Sequence, residues 1–215
     1  MIDKIIETQY DLTKRSKLRT LYEKNKFLFY SIVLASLISV GAFFYYVDYK
    51  EEKKIIFAND YMKAKLYLHN NEKDKAKKIL KKIILKSNST YSTMSLFLIL
   101  NNNLIIDQNE LYKLFDHVLE NYKFEKEIKN LIIYKKLVFQ SNFATEAEML
   151  ELIKPIINSN SLWKSQTLML ISDFFISKKE YIKANEFLIQ ILSINNANQD
   201  LYHQAKLKLS LISNE

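Results

Sequence analysis

The chain has 215 residues, a formal charge of +8, one glycine, one proline and no cysteine. At average usage this length carries roughly 15 Gly and 11 Pro. Strand-rich folds need many tight turns, and tight turns need residues that tolerate positive φ or fix φ. Gly41 and Pro155 alone therefore argue against a sheet-built fold and predict an all-α one. The lack of cysteine excludes disulfides, thiolate metal sites and a cysteine nucleophile. The lysine surplus goes with a surplus of asparagine and isoleucine, the pattern of an AT-rich coding sequence, and is not read as a nucleic-acid footprint.

From 27 to 47 no residue is charged. As a helix this run spans about 31 Å, enough for a hydrocarbon core of roughly 30 Å. Phe27, Phe29 and Tyr30 at one end, and Phe43, Phe44, Tyr45, Tyr46 and Tyr49 at the other, form the aromatic belts of a membrane helix. Residues 1–26 carry seven cations and the twenty residues after Val47 carry five. The short basic segment predicts a cytoplasmic N-terminus. The domains expected are a basic cytoplasmic head (1–26), a transmembrane helix (27–47) and an exported domain (48–215) in a bacterial inner membrane. A buried core helix and a cleaved signal are the competing readings, the second with Ser39-Val40-Gly41 as its weak cleavage site; the flanking charges and aromatic ends argue against the first. The 26-residue lead and the 21-residue apolar run are long for a signal.

Beyond the anchor, 52–69 continues the membrane helix. In 72–86, Ala76, Ile79, Leu80, Ile83 and Ile84 make an apolar stripe opposite Lys73, Lys77, Lys78, Lys81 and Lys82. Helices follow over 89–101, 107–122, 126–140, 145–157, 161–177, 180–193 and 198–212. Asparagine and serine supply the turns, at Asn70-Asn71, Asn101-Asn102-Asn103 and Asn195-Asn196 among others. Helices of this length joined by short loops predict antiparallel pairs.

An internal repeat supports the pairing. Ala64-x2-Tyr67-x8-Ala76-x3-Leu80 matches Ser172-x2-Phe175-x8-Ala184-x3-Leu188 at identical spacing. This resembles the tetratricopeptide repeat, a helix hairpin with small residues where its two helices approach closely. The resemblance holds at 57–90 and 165–197; over 91–160 the helices fit but the small-residue code does not. The layout of basic head, single membrane helix and repeat domain is similar to the bacterial tetratricopeptide-like inner-membrane family that includes the ancillary subunit of the Sec translocon. That resemblance implies a solenoid of helix hairpins and association with the translocon and periplasmic chaperones. A scaffold for envelope assembly or cell division, with no role in secretion, is the alternative.

Little in the chain suggests catalysis, and neither an enzyme nor a cofactor is expected. His69, His117 and His203 fall in no metal-ligand spacing. Glu146, Glu148 and Glu151 follow Thr145 and read as helix-start carboxylates. The lysines of 73–86 read as a solvated face, with acidic partners or lipid headgroups as the alternative. Trp163 reads as a core residue rather than a binding hot spot. If the repeats stack, the first helix of each pair lines a concave groove. That places Tyr61, Lys65, Leu68 and His69 in one groove helix and Gln166, Met169 and Asp173 in a later one, as contacts for a bound protein.

Overall fold

A computed structural model describes residues 22–194 and 198–213; most of the basic head and the turn at Asn195-Asn196 lie outside them. Among the described residues the chain is helical and forms no strand. In chain order the helices are α1 (Lys26–His69), α2 (Lys73–Lys86), α3 (Ser89–Asn101), α4 (Gln108–Asn121), α5 (Lys126–Gln140), α6 (Glu146–Ile157), α7 (Lys164–Ser177), α8 (Tyr181–Leu192) and α9 (Gln199–Ile212). The chain divides between Ile56 and Phe57 into two compact units. The boundary falls nine residues beyond the expected end of the membrane helix.

In the first unit α1 is long and apolar enough to cross a membrane, and its most apolar stretch is buried by nothing. Phe27 is 89% exposed and Tyr45 75%. Its serines solve their own polarity. Ser31, Ser36 and Ser39 donate to the carbonyls of Leu28, Val33 and Ala35 at 2.8, 2.7 and 2.8 Å. A hydroxyl bonded within its own helix is compatible with hydrocarbon.

The second unit is a sequential array. α2 packs on α3, α4 on α5, α6 on α7 and α8 on α9, while α3–α4, α5–α6 and α7–α8 join as well. The turns explain how a chain without glycine there reverses so sharply. Asn71, Asn103 and Lys179 take φ of 59°, 49° and 59°. The next amides, of Glu72, Leu104 and Glu180, donate back to Tyr67, Ile99 and Phe175 at 2.8, 3.1 and 2.9 Å. These are the six-to-one bonds of the Schellman motif, ending α1, α3 and α7. Asparagine tolerates that conformation; Lys179 is the position the sequence does not flag.

Three core clusters follow along the chain. The first joins the end of α1 to α2, α3 and α4 around Leu80, Leu96 and Phe115. The second joins α5 to α8 around Met149, Phe175 and Ala184. The third seats α9 through Ala205 on Leu168, Leu188 and Ile191. All four small residues of the sequence repeat, Ala64, Ala76, Ser172 and Ala184, are fully buried. Phe175 stacks on Phe187 with ring centroids 5.7 Å apart and planes 4° from parallel. The core of the α7–α8 pair thus sits at the predicted positions.

Candidate protein-binding groove

The residues expected to line a groove fall into two sets in different core clusters. Tyr61 and Leu68 are half-buried against the first core, and the Tyr61 ring lies 6.1 Å from that of Tyr91 on α3. Burial raises the Tyr61 phenol above its ordinary pKa. Lys65 and His69 are exposed. On α7, Gln166 is half-buried and lines a cavity of about 710 Å³ with Ser165, Gln190 and Ser193 among others. Asp173 accepts from Lys208 of α9 at 2.5 Å. Met169 is a correction: it is 6% exposed and packs in the third core with Leu188 and Ala205, so it offers no surface to a partner. The reason is α9, which packs on α7 as well as on α8 and covers this face.

An apolar opening lies elsewhere, between α3 and α5, with a volume of about 510 Å³. α3 contributes Thr90, Met94 and Phe97, one face at i, i+4 and i+7. α5 contributes Ile128 and Leu131, and the loop before it Lys123, Phe124 and Glu125. Met94 is 41% exposed and Ile128 44%. Thr93 at the wall is internally satisfied, its hydroxyl donating to the Ser89 carbonyl at 2.8 Å. α3 belongs to a second charge-free run, from 87 to 106, bounded by Lys86 and Asp107. A groove of this size, apolar with polar groups at its edge, suits the side chains of a bound segment.

The remaining candidates resolve into structure. Lys81 pairs with Glu110, Lys82 with Asp60 at 3.0 Å, Lys77 with Asp74 at 3.3 Å, and Lys75 with Glu72. The lysines of α2 are thus largely a paired, solvated face. Thr145 and Glu148 form a reciprocal capping box. The Thr145 backbone amide, and then its hydroxyl, hold the Glu148 carboxyl below its ordinary pKa. Glu146 pairs with Lys183 of α8 at 2.6 Å. Trp163 stacks on Tyr134 of α5 at 5.6 Å and 21°. Below that stack, Asn130 donates to the Ser161 hydroxyl at 3.0 Å, which donates to Glu127 at 2.9 Å. Among the described residues no group of His, Asp and Glu is arranged to hold a metal ion.

The α3–α5 groove escapes sequence reading because its helices lie in the stretch where the small-residue code is missing. The one available signal was the charge-free run of 87–106 in an otherwise charged domain. Compared with family models, with curated proteins and with solved structures, the chain has no match.

Proposed function

We propose that this chain is a membrane-anchored, protein-binding adaptor whose second unit is a solenoid of tetratricopeptide-like hairpins. The α3–α5 groove carries the reading: it is an exposed apolar site in a helical array. The apolar, uncovered half of α1 supports the anchor. The sequential packing of the helices, the Schellman turns after α1, α3 and α7, and the burial of Ala64, Ala76, Ser172 and Ala184 support the hairpin repeat. The head's cations support a cytoplasmic N-terminus and an exported second unit. The Sec translocon and periplasmic chaperones are the partners proposed, on the layout alone.

Photo-crosslinkers at Met94 and Ile128 in the full chain test the groove, with Ile182, 81% exposed on α8, as the control site. The expected result is a discrete adduct from the two groove positions and none from the control. Adducts from Ile182 with none from Met94 or Ile128 overturn the groove. Co-purification in mild detergent then identifies the adducts: translocon subunits and chaperones support the secretion role, and envelope-synthesis proteins replace it with the scaffold reading. A reporter active only outside the cytoplasm, fused after Glu215, is expected to be active; a silent fusion reverses the orientation.

A further inference from the structure

We infer that the α3–α5 groove selects a partner segment that is acidic as well as apolar, an inference resting on the protein-binding reading above. The floor, Met94, Phe97, Ile128 and Leu131, asks only for apolar side chains. The edges are not neutral. Lys123 lines the groove, and Lys135, seven residues after Ile128, lies on the same face of α5. Both are exposed; Lys126 and Lys129, also exposed, lie about 160° and 100° around α5 from Ile128, off the groove face. None has an acidic partner among the described residues.

The fold does pair lysines where it needs them. Lys136, the next residue on the same helix, is bound to Asp116 at 2.5 Å, and Lys183 and Lys208 hold Glu146 and Asp173. Against the two unpaired cations of the groove face, Lys123 and Lys135, stand two carboxylates. Glu127 is occupied, accepting from the Ser161 hydroxyl and the Leu162 amide at 2.9 Å each. Glu125 lines the groove. The facing wall, α3, carries no charge of either sign. A basic segment in this groove meets like charge on one wall and no counter-charge on the other. An acidic segment meets unpaired ammonium groups where its apolar side chains enter. Complementarity of this kind sets selectivity and encounter rate more than total affinity.

The test titrates the full chain, in an uncharged detergent, with three labelled 15-residue helical peptides. They share one Leu-Ala face and carry Glu, Lys or Gln on the other. Detergent alone supplies the background. The expected order is Glu tightest and Lys weakest, separated by about fivefold or more at low salt and converging as salt rises. Lys123→Glu with Lys135→Glu is expected to invert the order. Met94→Glu with Ile128→Glu is expected to abolish binding of all three while leaving the melting temperature unchanged. Equal binding of the Glu and Lys peptides, still lost in the Met94/Ile128 variant, overturns the acid preference and leaves the groove standing. Binding of no peptide, or binding indifferent to the Met94/Ile128 variant, overturns the groove reading together with this inference.

Discussion

Helices α7 and α8 close on each other, whereas α3 and α5 stand apart. In the first pair Ser172 and Ala184 are fully buried, and Phe175 and Phe187 fill the seam as a parallel stack. Between α3 and α5 the space is left open, about 510 Å³ of it, and two large apolar side chains remain more than two-fifths exposed. The first arrangement leaves a strict spacing in the sequence, because close approach tolerates only small residues at the crossing. The second leaves none, because a gap constrains no side-chain volume. Stability and recognition are thereby separated along the chain.

The largest test of that separation is Phe175→Ala. A fully buried aromatic ring in a stacked seam is expected to cost about 3–5 kcal/mol, read by denaturant unfolding of the full chain in detergent. A loss below about 1 kcal/mol would show that the seam carries little of the fold's stability. Next come Ala76→Leu and Ala184→Leu, which add volume where no space exists. Each is expected to cost about 1–3 kcal/mol, and an unchanged midpoint in both would remove the hairpin register. The smallest effect belongs to the groove. Met94→Gln and Ile128→Gln are expected to shift stability by no more than about 0.5 kcal/mol, as for other exposed positions. A large loss there would make the groove part of the core and end the contrast.

The same contrast explains what the sequence made legible. Helix ends agree within a few residues of expectation because polarity period and asparagine turns are local signals; α3 and α5 match their expected spans. The burial of Ala64, Ala76, Ser172 and Ala184 was readable for the same reason. Met169 was misplaced by a non-local event, the docking of α9 across α7, which turns it into core and gives Asp173 Lys208 as partner. The lysines of α2 read as a solvated face, and the structure adds that Asp60 and Glu110 arrive from other helices to pair with two of them, Lys82 and Lys81. The groove was hidden because it belongs to two helices that are not neighbours in the chain.

The charge-free run that forms α3 also bears on how the chain is sorted as it is made. A nascent polypeptide presents its segments before any tertiary partner exists, and two of them, 27–47 and 87–106, pass without a charge. The earlier run contains three serines and no threonine or asparagine; the later one contains ten Ser, Thr and Asn residues. Each such side chain needs a hydrogen-bond partner in hydrocarbon and costs free energy there without one. Ten such side chains against three therefore make the second run a poorer stop-transfer segment than the first. A wall bland enough to receive apolar side chains is kept more hydrophilic than the uncharged run ahead of it.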